Sequence, residues 1–250
     1  MPGFVQTNVG LFIGSFNYTG YSNRIELTFG QELLDGTVFS NLGVAHRTRL
    51  PGLHTIGMNF AGIWDSAQDA HSHSLPKVED VLTTVISNAS NVATGAITYQ
   101  FGLDLGEFQR GGQVGDLFAF SINGEGTGPL FRGASLTANP SVLTTTGNGG
   151  PVLYMAAPAP KVTYLDIHVT AVSGTSPTLD LILQSASGPT FLSPTDVIGG
   201  SSGVPITQIT AAGSARYSRS FVNTHTYYRI VRTVGGTAPS FTCQISVAIL

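Results

Sequence analysis

The sequence predicts a mainly β protein, in which an N-terminal β-barrel or sandwich with one helix precedes a C-terminal antiparallel β-sandwich. Two-residue alternation of apolar and polar side chains dominates the chain. Glycine is abundant, with 31 among 250 residues, which indicates many turns. Hydrophobic residues (42%) suffice for a core, but charged residues make up only 10% against about 25% in an ordinary soluble domain. A surface so poor in charge favours a protein that covers it by symmetric assembly.

The alternation predicts ten strands. Gly124–Gly128, with the sequence G-E-G-T-G, is interpreted as a hairpin loop between the fourth and the fifth strand. The predicted strands are Arg24–Phe29, Ile56–Trp64, Ala96–Leu103, Leu117–Ile122, Leu130–Leu136, Val162–Val172, Thr178–Gln184, Arg216–Val222, Tyr227–Val234 and Phe241–Ile249.

One segment has helical rather than alternating periodicity. Its apolar residues, from Val78 to Ile86, recur at i, i+3, i+4, i+7 and i+8, which is one face of a helix. Ser74 is a suitable N-cap and Pro76 suits the first turn. The pattern predicts a single helix over residues 76–89.

Composition changes near residue 156. Ala156–Lys161 is rich in proline, which is typical of a stiff linker. Residues 1–155 carry 6 basic and 11 acidic side chains (6 − 11 = −5), whereas residues 156–250 carry 5 and 3 (5 − 3 = +2). We predict a first domain over 1–155, a linker over 156–161 and a second domain over 162–250.

A short phrase occurs twice in the predicted second domain. Val172–Leu181 reads V-S-G-T-S-P-T-L-D-L and Val234–Cys243 reads V-G-G-T-A-P-S-F-T-C. Glycine permits a positive φ, and proline sets the next turn residue near −65°. The two copies are therefore predicted to be hairpin loops of one sandwich.

The long segment Gly30–Leu53 has no steady period but holds many apolar residues. Loops of more than about 12–15 residues usually have a function, and an apolar loop is costly to leave in water. We expect it to contact another subunit. Two interpretations of Arg47 and Arg49 stay open: a solvated pair at a strand end, or ion pairs with a neighbouring subunit's carboxylates, such as Glu32 or Asp35.

Candidate catalytic and metal sites are weak, so no catalytic residue, cofactor or metal is predicted. Gly199–Gly203 (G-G-S-S-G) has the letters of a nucleophile elbow but no helix start after it. His71 and His73, with Asp65 and Asp69 nearby, lack a zinc-site spacing, and a polar loop is the simpler interpretation.

Two further features of the sequence are not interpreted as catalytic or binding sites. Asp104 and Glu107 could form a carboxylate pair, but they flank, with Asp116, a predicted turn. Cys243, the only cysteine, alternates with the apolar residues of its strand, so we expect a small buried side chain. We see no signal peptide and no membrane-spanning run, and expect a protein made in the cytosol.

The first 155 residues resemble the major tail tube proteins of long-tailed bacteriophages. The resemblance rests on the order of elements and on short phrases: the strand Arg24–Phe29, the long loop, R-T-R-L-P-G-L up to Leu53, F-A-G-I-W-D at Phe60–Asp65 and G-G-Q-V-G-D at Gly111–Asp116.

The resemblance implies a structural subunit of the virion tail, assembled in the host cytoplasm. Six copies would form a ring by joining their sheets, and stacked rings would let DNA pass through a negative lumen without specific binding. The long loop would reach a neighbouring ring, and residues 162–250 would project outward, where they could contact other tail proteins or a host surface. The implied contact residues between subunits and rings are Glu32, Leu33, Leu34, Asp35, Val38, Phe39, Leu42, His46, Arg47 and Arg49.

Two alternatives stay open. The chain could be a capsid-decoration or other virion surface protein. Its C-terminal sandwich could instead bind carbohydrate, with Tyr217, Tyr227 and Tyr228 as candidate aromatic contacts. Tyr227 and Tyr228 are adjacent in a strand, so only one of them can face outward.

Overall fold

The computed structural model describes residues 9–35, 49–74, 80–87, 94–113, 116–138, 140–150, 152–153, 160–222 and 225–250. Within them the fold is mainly β with one α-helix, which confirms the predicted class. No helix in these ranges has the length and apolarity needed to span a membrane.

Strands make up most of the described chain. In chain order the elements are β1 (Gly10–Ile13), β2 (Phe16–Asn17), β3 (Ser22–Asp35), β4 (Arg49–Ile63), α1 (Ser66–Ser74), β5 (Val81–Ile86), β6 (Ile97–Gly111), β7 (Ala119–Ser135), β8 (Ser141–Leu143), β9 (Gly147–Asn148), β10 (Val152–Leu153), β11 (Pro160–Ala186), β12 (Thr195–Ile198), β13 (Gly213–Val222) and β14 (Tyr227–Ile249).

The chain packs as two compact units that interleave along the sequence. The core unit comprises Met1–Gly20, Val81–Phe101 and Leu130–Leu250, and the arm unit comprises Tyr21–Asp80 and Gly102–Pro129. Strands β6 and β7 contribute residues to both. The predicted domains 1–155 and 162–250 stay predictions, and residues 154–159 of the predicted linker lie outside the described residues.

The core unit is a large antiparallel assembly whose sheet does not close into a barrel. Its strands pair in the order β12-β11-β14-β7-β6-β5-β1-β2, with β13 on β11 and with β8, β9 and β10 on β14. A hydrophobic core lies inside it and includes Leu165, Ile167, Ile230, Phe241 and Ile245, each at most 1% exposed. Strand β14 is central to this unit because it pairs with five other strands.

The two copies of the repeated phrase lie opposite each other in one ladder, so the prediction of two hairpin loops was wrong. Strand β11 pairs with β14 along almost its whole length, from Thr163↔Ile249 to Ala186↔Tyr227. Thr175 faces Thr237 at the middle, where the register shifts on both sides. Each copy is thus an irregularity inside a long strand, at which the register of the ladder shifts.

The backbone at this crossing explains why the phrase requires glycine. Gly174 has a φ of 114° and Gly236 a φ of 107°, in the region that favours glycine. A Cβ on Gly174 would lie 2.7 Å from the Ala238 carbonyl oxygen, and one on Gly236 would lie 2.6 Å from that of Ser176. Each glycine therefore lets its own strand approach the backbone of the opposite copy.

The helix predicted over 76–89 was also wrong. Val81–Ile86 is the strand β5, in which all six residues are buried, and residues 75–79 and 88–89 lie outside the described residues. A strand covered on both faces reads as a continuous apolar run, which periodicity alone does not distinguish from a buried helix. The helix is α1, in the segment interpreted as a polar loop, where Asp65 Oδ1 accepts a hydrogen bond from the Ala67 amide at 2.9 Å.

The predicted hairpin loop at Gly124–Gly128 is part of one continuous strand, β7, so that prediction was wrong as well. Gly124 and Gly126 serve close packing rather than a turn. A Cβ on Gly124 would lie 2.8 Å from the Leu103 side chain, and one on Gly126 would lie 2.5 Å from Ile56. Larger residues would push the neighbouring strands apart.

A fully buried histidine ties three parts of the core unit together. His168 Nδ1 donates to the Gly14 carbonyl oxygen at 2.7 Å, and Nε2 accepts from the Thr84 hydroxyl at 2.8 Å. The ring therefore holds β11, β5 and the turn after β1 as a neutral imidazole. Burial lowers the pKa of His168 from 6.5 to about 4, because the charged ring would lose its solvation.

We expect Gly174→Ala and Gly236→Ala each to lower the free energy of unfolding by roughly 1–3 kcal/mol or more, because the new methyl group meets backbone at a positive φ. Urea denaturation checks this result. Gly213→Ala is the matched control, since a Cβ there meets nothing within 4 Å. Equal stability of all three variants would contradict the interpretation of the crossing.

We expect acid to destabilise the core unit through His168. Its folded pKa lies below its unfolded value, so its contribution is complete above pH 6.5 and is lost as pH falls from 6.5 toward 4. At about 1.4 kcal/mol per pKa unit, the loss is roughly 3 kcal/mol. Unfolding free energies measured from pH 8 to 4 should show this slope in the wild type and in the exposed-site control His73→Gln. A His168→Gln variant with an unchanged slope would contradict the assignment.

Candidate assembly surface

The arm unit is built on a four-stranded sheet with one apolar and one polar face. The strands pair in the order β3-β4-β7-β6, and the register places Ile25 opposite Phe60 and Phe60 opposite Ile122. Phe60 and Ile122 are at most 1% exposed. The residues between them point the other way, because side chains alternate across a strand.

The polar face forms an open concavity of about 570 Å³ with an acidic lining. The register aligns Glu26, Asn59 and Asn123 in one row across three strands. The lining contains four carboxylates and no basic side chain. These carboxylates are Glu26, Asp104, Glu107 and Glu125.

The acidic residues of the chain are concentrated in the arm unit. By sequence this unit carries 11 acidic and 5 basic side chains (5 − 11 = −6), whereas the core unit carries 3 and 6 (6 − 3 = +3). The sum recovers the net charge of −3. The difference in net charge between the two units (−6 and +3) is therefore larger than that between residues 1–155 and 156–250 (−5 and +2).

The arm-unit sheet has two strand edges without partners in the described ranges. Strand β3 pairs only with β4. Strand β5 neighbours only the first half of β6, because the Ser87 amide donates to the Ile97 carbonyl and β5 begins at Val81. The stretch Asp104–Gly111 thus has β7 on one side alone. Free edges of this kind are templates for pairing with another chain.

Strands β3 and β4 continue beyond the rest of the sheet as a two-stranded ribbon, here named the hairpin arm (residues 29–35 and 49–55). The β4–β7 ladder begins at Gly57↔Glu125, so among the described residues the arm has two strands. Phe29 is 63% exposed and Leu53 is 77% exposed. An isolated two-stranded ribbon is marginally stable in water.

The hairpin arm contains part of the predicted contact segment. Its ends are paired strands rather than loop, which corrects the interpretation of Gly30–Leu53 as irregular throughout. Glu32 is exposed, and the arm backbone includes Leu33, Leu34, Asp35 and Arg49, with Asp35 opposite Arg49. The remaining predicted contact residues lie outside the described residues: Val38, Phe39, Leu42, His46 and Arg47.

A second apolar surface lies at the opposite end of β4 and was missed in the sequence. This end patch consists of Ile63, Trp64, Leu117 and Phe118. Leu117 is 74% exposed, Ile63 48% and Phe118 42%. The Trp64 amide donates to the Phe118 carbonyl at 2.8 Å, and the two rings pack edge to face. The sequence pattern places Leu117 and Phe118 at the start of a strand and does not indicate their exposure.

The weak candidate sites have structural roles. Asp69 forms an ion pair with Arg110 at 3.1 Å, and burial lowers the pKa of His71 to about 4. No group of three or more His, Cys, Asp or Glu side chains in the described ranges could hold a metal. In the core unit, Gly200–Ser202 is a short 3-10 turn in which Ser201 donates to Asp196.

The structure also places the other residues that the sequence analysis singled out. Cys243 is fully buried, as expected from the alternation, and burial raises the pKa of its thiol to about 12. Asp104 Oδ1 accepts from the Asp80 amide at 2.6 Å, and Glu107 accepts from Gln109. Tyr228 is 1% exposed and its neighbour Tyr227 is half-buried, which confirms that only one of them faces outward.

No protein-family model matches the chain, and no curated protein matches it. Its structure is similar to a chain of the virion of a native gene transfer agent particle, at 14% identity and a TM-score of 0.42, over 51% of this chain and 97% of that chain. It is similar to the tail tube of SPP1 at 11% identity and a TM-score of 0.39, over 52% and 78%.

A further similarity covers nearly the whole chain. The Dit protein of SPP1, described as a hub of the adsorption apparatus in phages that infect Gram-positive hosts, has 8% identity and a TM-score of 0.36, over 97% of this chain and 99% of that chain. Tail tube proteins, which the sequence resembled, are thus among the structural neighbours. At these identities the likeness is one of fold.

We expect Gly126→Ala to destabilise the arm-unit sheet by about 1–3 kcal/mol, because the added methyl group overlaps the side chain of Ile56. Thermal unfolding checks the effect. Gly111→Ala is the control, since a Cβ at that position meets nothing within 4 Å. If both variants unfold at the wild-type temperature, the close packing of β7 on β4 does not matter for stability.

Proposed function

We propose that this chain is a structural protein of a phage tail and, more specifically, the subunit of its tube. Six copies would form a ring, and the rings would stack into a channel for DNA. The observation that carries the proposal is the arm-unit sheet, which combines a buried apolar face, an acidic face and two free edges.

The free edges supply a way to form the ring. The outer edge of β3 in one copy would pair with Asp104–Gly111 of β6 in the next copy, which extends the sheet by backbone hydrogen bonds. Each copy has one edge of each kind, so the contact is heterologous, and a repeated rotation of fixed angle closes it into a ring. The low charge content of the chain agrees with a surface that is covered on assembly.

The acidic face supplies a lining suited to DNA passage. With Glu26, Asp104 and Glu125 on the lumen side, the wall is net acidic, although Glu26 forms an ion pair with Arg24 at 2.6 Å. Attraction by basic side chains would hold the DNA and slow its movement. A negative lumen keeps the DNA mobile without specific binding.

The hairpin arm supplies a contact between subunits or rings. Its exposed apolar residues and its free edges on both sides favour burial against a neighbour. We assign this role to the predicted contact residues from Glu32 to Arg49. Residues 162–250 are the candidates for contact with other tail proteins or a host surface. The tube would be a virion component assembled in the host cytoplasm.

Electron microscopy and sedimentation of the purified full-length chain test the proposal. We expect concentration-dependent assembly into six-fold rings or into tubes with a narrow channel. Monomers that persist at millimolar concentration would overturn it. Particles that bind only to a preformed capsid surface would favour a decoration protein, and binding of the monomer to a glycan array would favour a carbohydrate-binding module.

We expect assembly to be opposed by repulsion among the acidic faces, which a ring brings together. Raising the salt concentration from about 0.05 to 0.5 M should lower the critical concentration for assembly, because salt screens exposed charges. Glu125→Gln should assemble at lower salt than the wild type, as measured by sedimentation. Asp180→Asn is the control, an exposed carboxylate of the core unit outside the concavity. Equal effects of both variants would contradict a lumen-facing Glu125.

A further inference from the structure

The core unit has a pocket of about 220 Å³ that the proposed tube does not use. It lies where two segments diverge from the outer edge of β11. Strand β13 pairs with β11 as far as Val169↔Gly213, and further along β11 Leu179 exchanges two backbone hydrogen bonds with Ile209, at 2.9 and 3.0 Å. The pocket lies between these two pairings and is named the fork pocket here.

The fork pocket combines an apolar floor with a polar rim. The floor is formed by Ile167 and Val169, which belong to the hydrophobic core and are 1% and 2% exposed. The walls are the segments Thr207–Ala211 and Gly213–Ala215, whose exposed side chains include hydroxyl and amide groups. The described residues that line the pocket include no acidic or basic side chain.

Two side chains at the rim are held in place by hydrogen bonds. The hydroxyl of the half-buried Tyr217 accepts from the Thr207 amide at 3.2 Å, which joins the two walls and fixes the aromatic ring. The Gln208 side-chain amide donates to both carboxylate oxygens of Asp180, at 3.1 and 3.0 Å. The Tyr217 hydroxyl can still donate and Gln208 Oε1 can still accept, so the rim offers both kinds of group to a ligand.

The lining restricts the ligand by charge, size and polarity. An ionic ligand would have no opposite charge in the lining to compensate for its lost hydration. The volume is below the roughly 300–1,000 Å³ of sites for drug-sized molecules, so the ligand is about one ring in size. A fully apolar ligand would leave the hydroxyl and amide groups of the rim without partners. A neutral pyranose meets all three conditions, because it has an apolar C–H face and hydroxyl groups at its edge.

We infer that the fork pocket binds one neutral sugar residue of a saccharide. The C–H face of the sugar packs on the floor and on the Tyr217 ring, and its hydroxyls bond to the rim. The inference goes beyond the proposed tube, because the pocket lies in the core unit and the tube contacts were assigned to the arm unit. Of the three tyrosines considered from the sequence, Tyr217 alone lines the pocket, and Tyr227 and Tyr228 do not.

Saturation-transfer NMR of the full-length chain tests the site, with the methyl glycosides of glucose, galactose, mannose and N-acetylglucosamine as probes. We expect transfer to at least one of them. Ala211→Trp should weaken binding about tenfold or more, because an indole on the exposed rim fills the pocket and leaves the floor intact. The matched control is Ala212→Trp, at the next exposed residue and outside the lining, which should bind as the wild type does.

A second pair of variants tests the hydrogen bond at the rim. Tyr217→Phe keeps the aromatic ring and should weaken binding about threefold to tenfold, since one hydrogen bond is lost. Tyr227→Phe, outside the lining, should have no effect. Equal affinities of these two variants, with circular dichroism unchanged, would count against the assigned role of Tyr217.

Three outcomes would overturn the inference. These are no transfer to any of the four glycosides, transfer that survives Ala211→Trp, and transfer only to N-acetyl-leucine amide, which would identify a site for an apolar side chain of a protein. Electron microscopy of the same samples reports on the tube separately. Tubes that bind no sugar would leave the proposed function standing, and monomers that bind sugar would support the pocket and overturn the tube.

Discussion

The approach of two backbones at Gly174 and Gly236 is the constraint on which the core unit depends. At this point the register of the β11–β14 ladder shifts, and each glycine leaves room for the carbonyl groups of the opposite strand. Before the crossing β11 pairs with β13, and after it with β12. One pair of strands therefore contacts different neighbours on either side of the crossing, and its buried residues belong to the hydrophobic core. A side chain at either glycine would push the two strands apart at this crossing.

The arm unit differs from the core unit because several of its strand edges and surfaces have no partner among the described residues. Its sheet buries one face within the chain but leaves an acidic face, two strand edges and a long ribbon to the outside. Each of these is unfavourable for an isolated molecule, since free edges promote association and a lone ribbon is marginally stable. Together they agree with the assembly proposed above.

Alternation located most strands, since Arg24–Phe29 and Arg216–Val222 lie within β3 and β13. It did not locate strand ends, because glycine marks close packing as well as turns. Gly124 and Gly126 fit beside Leu103 and Ile56, and only the neighbouring strands reveal that need.

For the candidate surface, the contact role of Gly30–Leu53 stays a prediction from the sequence, and no sequence pattern indicated the end patch. Leu117 is exposed because no described element covers it. A local sequence pattern does not predict which residues other elements cover. The strand β5 was mistaken for a helix for a related reason. Its neighbours cover both faces, so the residues follow no two-residue alternation.

Strand β14 pairs with β7, β8, β9, β10 and β11, and every one of these partners precedes it in the chain. During synthesis the ribosome therefore delivers the central strand of the core unit after the strands that surround it. Until then those strands have no common neighbour, and long-range pairing of this kind is slow. The edges of these partner strands stay uncovered until β14 is synthesised. Translation timing and chaperone access therefore affect how this protein reaches its native state.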